Sequence, residues 1–215
     1  VTLSLDKRRA LLDLAREYGF WVFEDDPYVD IRFRGEPLPS LLALDAGAGT
    51  VVHASSFTKT VCPGLRVGYL VGPRELIAEI AKKATDTYIS AGMVAQAIVY
   101  QFCVSGDLDR SIATVRTALA ERARVLAEEL RARIPGVRFT EPDGGYFLWV
   151  ELPEHVDAAE LAAQAQQRGV AVVKGSDFVL EGGRHALRLA YSAVGVDQIR
   201  EGVRRLAEAV VSITS

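Results

Sequence analysis

Two short apolar runs, Phe20-Trp21-Val22-Phe23 and Val51-Val52, stand far apart in the chain, and each opens into polar residues. A connection of that length suits parallel neighbours, because a hairpin needs only a tight turn. The first run reads as a strand buried on both faces, ending in Glu24-Asp25-Asp26 ahead of Pro27-Tyr28. The second, Thr50 to Ala54, runs on into Ser55, Ser56, Phe57, Thr58 and Lys59. Parallel strands present their carboxyl ends on one sheet edge, so Asp25, Tyr28 and Lys59 are expected to converge there. Open α/β sheets hold their ligands at that edge.

Lys59 is the residue to weigh most carefully. Most loop lysines are simply solvated. Lysine is scarce here, however, with five in a chain whose lysines and arginines total 25. Lys7, Lys82 and Lys83 fall in helix-like polar positions, and only Lys59 and Lys174 follow apolar strand-like runs. Lys59 alone has hydroxyls around it (Ser55, Ser56, Thr58) and an arginine close behind. An amine with its stem packed and its tip among hydroxyls can act as a nucleophile once deprotonated. Arg66, beyond the Pro63-Gly64 break, supplies a permanent cation suited to an oxyanion such as phosphate.

Either side of this stretch the pattern alternates helix and strand. Ser4 is placed to cap a helix that Gly19 stops. A short helix is expected around Leu41 to Leu44, a third strand at Val67 to Val71, a helix from Arg74 to Ala84, and helical character after Gly92. Asp107 to Arg133 forms a long amphipathic stretch closed by Pro135-Gly136. Beyond it come strands at Val137 to Phe139 and Tyr146 to Val150, a helix at Ala158 to Arg168, strands at Val170 to Val173 and Ala186 to Tyr191, and a closing helix from Val196 to Val211. That order suits a smaller α+β unit with helices on one sheet face. In the strand Ala186-Leu-Arg188-Leu-Ala190, Arg188 sits between small residues. It is either an exposed strand arginine or one with room in front for a carboxylate.

Composition narrows the classes further. A net charge of −3 and a pI near 5.7 leave no electrostatic footprint for nucleic acid. No apolar run reaches membrane-spanning length. Cys62 and Cys103, far apart, suggest reduced thiols and a cytoplasmic setting. His53, His155 and His185 are scattered, so no metal site is expected, and His53 reads as a half-buried strand residue. With 49% hydrophobic residues the chain can bury a substantial core.

Taken together, Glu24-Asp25-Asp26-Pro27-Tyr28, then Ser56-Phe57-Thr58-Lys59 with Arg66, then Leu187-Arg188-Leu189, resemble the later part of a fold-type I pyridoxal phosphate enzyme. The likeness is to the aminotransferases grouped with 2-aminoadipate and kynurenine transaminases, and to the aminotransferase-like domain of MocR-type regulators. The resemblance implies an α/β fold, with residues 1–105 forming the later portion of a large, mostly parallel-sheet domain. Residues 106–215 would form a small C-terminal domain that begins with a long connecting helix.

It also implies roles. Lys59 would carry pyridoxal 5'-phosphate as a Schiff base and move the substrate's α-proton. Asp25 would pair with the pyridinium nitrogen, Tyr28 with the ring's phenolic oxygen, Ser56 and Arg66 with the phosphate, and Arg188 with the substrate α-carboxylate. Asp25 is preferred to Asp26 because the family spacing is Asp, two residues, Tyr. The expected activity is amino-group transfer from an amino acid to a 2-oxo acid, in a homodimer to which the Tyr88 to Gln96 stretch contributes. Alternatives on the same residues are a regulator with a DNA-binding segment ahead of Val1, and a cyclase or lyase. The family's glycine-rich phosphate loop, stacking aromatic and Asn-Pro-Thr-Gly segment are not in this sequence, which is therefore expected to be a fragment that binds cofactor poorly or not at all and is itself inactive. Lys174, where relatives often carry proline, is a second departure.

Overall fold

The computed structural model of the chain describes residues 2–214. Helix α1 spans Leu5–Tyr18; the Ser4 hydroxyl accepts from the Lys7 amide at 3.4 Å, and Gly19 closes the helix at φ 68°. Only a residue without a Cβ takes that left-handed conformation without penalty, which is why the helix stops there. Strand β1 (Val22–Asp25) pairs in parallel with β2 (Val51–Ser56), Val22 opposite Val51 and Asp25 opposite Ala54. Strand β3 (Gly68–Val71) joins the other side of β2 antiparallel, Ser56 opposite Gly68, completing a three-stranded sheet. Leu12 and Ala15 of α1, Val22, Val51, and Leu41 of the short helix α2 (Leu41–Asp45) make one buried cluster against a single face of this sheet.

That one-sidedness corrects the reading of Phe20 to Phe23. Phe20 and Trp21 precede the strand and are exposed, and Phe23 is 63% exposed, so β1 alternates buried and exposed instead of being sealed on both sides. The apolar run is continuous in sequence because two different surfaces need it, and only one of them is covered by α1 and α2.

Glu24 is the tie between these pieces. It is 8% exposed, and its carboxylate accepts from the Leu41 amide at 2.7 Å and the Leu42 amide at 3.2 Å, so it caps α2 from a neighbouring strand. His53 Nδ1 lies 2.9 Å away on β2 and Arg8 Nη1 3.5 Å away on α1. Asp45 does the same work at the far end of α2: it accepts from the Thr50 amide at 2.9 Å and from Arg16 at 3.3 Å, locking the entry to β2.

Helices α3 (Arg74–Tyr88) and α4 (Met93–Ser105) follow, and both are largely exposed; Tyr88, Ile89, Met93, Val94, Ile98, Tyr100 and Val104 stand open. Helix α5 runs Asp107–Arg133. The chain divides into two compact units within it, one ending at Arg116 and the other starting at Thr117. In the first unit, α5 holds the loop after β2: Ser111 Oγ donates to the Thr60 carbonyl at 2.6 Å, and Arg116 Nε to the Asp30 carbonyl at 2.6 Å. No described helix is long and apolar enough to cross a membrane.

The second unit is an antiparallel sheet in the order β4 (Phe147–Glu151), β6 (Ala186–Ala190), β5 (Val173–Lys174). Leu148, Val150, Leu187 and Leu189 share one face and are buried, as are Leu161 of α6 (Ala158–Gln167), Val203 and Leu206 of α7 (Val196–Thr214), and Leu126 and Leu130 of α5. The strand read at Val137 to Phe139 is instead one bridge, in which Arg138 and Glu151 exchange backbone hydrogen bonds of 2.9 and 2.8 Å. The strand read from Val170 starts only at Val173, because the Val170 amide is spent on the Ala165 carbonyl at the end of α6. Gly175, just after β5, packs so closely that a Cβ there would lie 2.6 Å from that of Ala186.

Two carboxylates of the first unit make acid lability a measurable consequence. Burial pushes the Glu24 carboxyl up, but the hydrogen bonds from Leu41, His53 and Leu42 outweigh it and hold it below the ordinary 4.5. Asp45 is also held low, burial being outweighed by Thr50 and Arg16. A depressed carboxyl contributes stability above the unfolded value and loses it as pH falls through the folded one. Asp26 works in the opposite sense: burial and the nearby Glu24 raise it, so its protonation relieves strain as pH falls. Chemical denaturation should therefore show stability dropping between roughly pH 5 and pH 3, with a shallower slope in Glu24→Gln. Glu24→Ala should cost about 3–5 kcal/mol at neutral pH, because it strands buried Arg8 and two amides.

Candidate active site

The parallel pairing brings the ends of β1 and β2 to one edge, and the antiparallel β3 begins at that same edge. Asp25 is the last residue of β1, Ser56 the last of β2, and Arg66 stands two residues ahead of β3. Strand alternation and register put Asp25 and Ser56 on the face that carries Phe23, opposite the face of Glu24 and His53. Asp25 is exposed and forms neither a hydrogen bond nor an ion pair among the described residues, whereas Asp26 is half-buried and accepts from the Tyr28 amide.

The loop after β2 is built to hold Lys59 in place. The Ser56 hydroxyl accepts from the Thr58 amide at 3.0 Å and lies 2.6 Å from the Thr58 hydroxyl and 3.2 Å from the Val67 carbonyl. The Phe57 amide donates to the Val67 carbonyl at 3.1 Å, and the Phe57 ring packs against Tyr69 at 5.6 Å. Thr60 is buried and anchored by Ser111. Between these anchors the half-buried Lys59 places its Nζ 5.4 Å from the centroid of the Tyr28 ring. A lysine from one strand end and a tyrosine from the next thus share one patch, as the two parallel strands require.

Arg66 is exposed, and its backbone sits at φ 54°, a left-handed conformation that costs a side-chain-bearing residue about 1–2 kcal/mol. Its guanidinium makes one long hydrogen bond, to the Pro63 carbonyl at 3.4 Å, so most of its donors are uncommitted. Strain of this kind concentrates where a side chain must be aimed at something other than its own neighbours.

Arg188 belongs to the second unit, in the middle of β6, with Trp149 of β4 and Val173 of β5 as its cross-strand partners. Two aromatic rings lie beside it. Its guanidinium lies 4.2 Å from the Phe147 ring centroid and 4.1 Å from that of Phe178. Its Nε is sealed from solvent with no hydrogen-bond partner. Sequence reading missed Phe147, Phe178 and the tying role of Glu24. The alternation of Phe147 and Trp149 along β4 carried a signal for the first, but Phe178 lies in a loop with no periodicity to read.

The residues present suit a flat, anionic heteroaromatic group. An uncommitted carboxylate, a phenol, an amine and a guanidinium with spare donors stand at one sheet edge, and elsewhere a buried guanidinium nitrogen lacks an acceptor. Ser56 would have to redirect its hydroxyl to serve a phosphate, since it now serves its own loop. Among the described residues no group of three or more His, Cys, Asp or Glu is placed to hold a metal ion.

Comparison with known proteins gives the same reading. The chain is 34% identical over 214 residues to aromatic-amino-acid aminotransferase 1 of Thermococcus litoralis, a match covering 98% of this chain and 51% of that protein. It is 34% identical over 212 residues to the HTH-type transcriptional regulator TauR of Rhodobacter capsulatus, covering 97% and 43%. Among solved structures, the α-aminoadipate aminotransferase of Thermus thermophilus, complexed with N-(5'-phosphopyridoxyl)-L-leucine, superposes with a TM-score of 0.89. The identity is 34%, with 98% of this chain and 55% of that one covered. The chain thus spans about half the length of the relatives it matches. Aminotransferase class I and II describes the family that matches residues 1–206, and this chain belongs to it.

Proposed function

We propose that this chain carries the lysine-bearing part of a pyridoxal phosphate-dependent aminotransferase, which moves an amino group from an amino acid to a 2-oxo acid. The observation that carries the reading is the meeting of Lys59 and Tyr28 at 5.4 Å, on the sheet edge where Asp25, Ser56 and Arg66 also lie. Its support among relatives is the phosphopyridoxyl-leucine held by the Thermus thermophilus enzyme.

Pyridoxal phosphate, when bound, supplies a ring that withdraws electrons from the substrate's α-carbon. The chain's own residues do the rest. Asp25 holds its negative charge against the ring nitrogen and favours the protonated form there. The Tyr28 hydroxyl donates to the phenolic oxygen, and Ser56 and Arg66 hold the phosphate. Lys59 would hold the cofactor covalently, and its amine would take and return the proton at the substrate's α-carbon. Arg188 receives the α-carboxylate. The working protein is a homodimer in a cytoplasmic setting.

A second reading is favoured by the likeness to the regulator TauR: the same residues would bind cofactor as a sensing domain within a DNA-binding protein. The reading frame upstream of Val1 separates the two, since a basic helix-turn-helix module there would favour the regulator. Incubation with a panel of amino acids and 2-oxoglutarate tests the reaction itself; absence of glutamate would count against transamination.

In the full-length protein, Lys59→Ala should remove both turnover and the mass increment that borohydride fixes on the Lys59 peptide after incubation with pyridoxal phosphate, while leaving the circular dichroism spectrum unchanged. Asp25→Asn should keep the increment but lower turnover by about a hundredfold or more. Arg66→Ala and Arg66→Gly should both weaken cofactor affinity about ten- to a hundredfold, read from an absorbance titration. Only the glycine variant should relieve the backbone, unfolding about 1 kcal/mol later than the alanine variant.

A further inference from the structure

We propose that Phe147 and Phe178 are positioning residues which clamp Arg188 so that a carboxylate can approach it only end-on, through its two terminal nitrogens. The inference rests on Arg188 as the carboxylate anchor and adds how that anchor is aimed. A guanidinium carries all its donors in its own plane, and its two faces can stack on rings without using any of them. Here rings lie over it at 4.2 and 4.1 Å, from Phe147 and Phe178. Its Nε is sealed from solvent and has no acceptor. A side-on pair through Nε is therefore closed, which leaves the Nη edge for the carboxylate.

The sheet explains why both rings reach it. Phe147 and Trp149 alternate along β4, with Trp149 directly opposite Arg188 and Phe147 one diagonal step away, opposite the small Ala190. Phe178 comes from the turn after β5, where its amide donates to the Gly175 carbonyl at 3.0 Å. Trp149 meets the Phe178 ring edge-on, with centroids 6.2 Å apart and planes at 80°, and so steadies it. Gly175 cannot carry a Cβ without striking Ala186, which keeps this turn close against β6. Phe147, Trp149 and Phe178 are each more than a third exposed, so the clamp is open to an incoming molecule.

The test is nitrogen–proton correlation NMR on the arginine side chains of the intact protein, with 3-phenylpropionate as the carboxylate probe. The expected result is an Nε–H signal that is shifted upfield by the two ring faces, exchanges slowly with water, and vanishes in Arg188→Lys. The shift should collapse in Phe178→Leu and Phe147→Leu and survive in Phe178→Tyr. Each leucine variant should weaken 3-phenylpropionate binding about three- to tenfold, with Phe178→Tyr near the parent, while 3-phenylpropanamide is little affected. An Nε–H that exchanges as fast as a solvated arginine would overturn the clamp, as would leucine variants that bind the carboxylate as tightly as the parent. Loss of the Lys59 adduct with the NMR signal intact would instead remove the aminotransferase reading and leave the clamp.

Discussion

One buried carboxylate ties the elements of the first unit together. Glu24 reaches from β1 to the start of α2, to His53 on the next strand and to Arg8 on the first helix. Because strands alternate, a residue fixed on the covered face fixes the orientation of its neighbours on the other. Asp25 is presented outward because Glu24 is held inward. A buried charge with this many partners is a poor source of net stability, yet it discriminates strongly among registers, since a slip by one residue would strand it unpaired.

The same division of labour recurs beside Lys59. The loop is fastened by Ser56, Phe57 and Thr60, each bonded or packed to a different element, and the lysine between them is positioned without being enclosed. Arg66 sits in a conformation its residue type disfavours, a local cost that the surrounding turn sustains. In the second unit the polar group is held instead by aromatic faces, which fix a cation's plane while leaving its donors unspent.

Local chemistry was legible from the chain alone wherever neighbours in sequence are neighbours in space. Ser4 and Gly19 delimit α1, the long connection makes β1 and β2 parallel, and α5 has the bounds its amphipathic pattern and the following Pro135-Gly136 indicate. What could not be read depends on partners far off in sequence. Phe20 to Phe23 looks sealed because hydrophobicity does not say how many faces are covered. Val170 looks like strand until the helix before it claims its amide. The rings beside Arg188 could not be read, because nothing links it in sequence to Phe147 or Phe178. At the lysine edge the motif order supplied the candidate residues, and the fold added which hydroxyls are already committed.

The open sides of α3 and α4 carry a consequence of a different kind. Ile80, Tyr88, Ile89, Met93, Val94, Ile98, Tyr100 and Val104 each leave apolar side-chain surface in contact with water. Such a surface makes the polypeptide sticky in a colloidal sense: its solubility is limited by encounters between molecules and falls as it is concentrated.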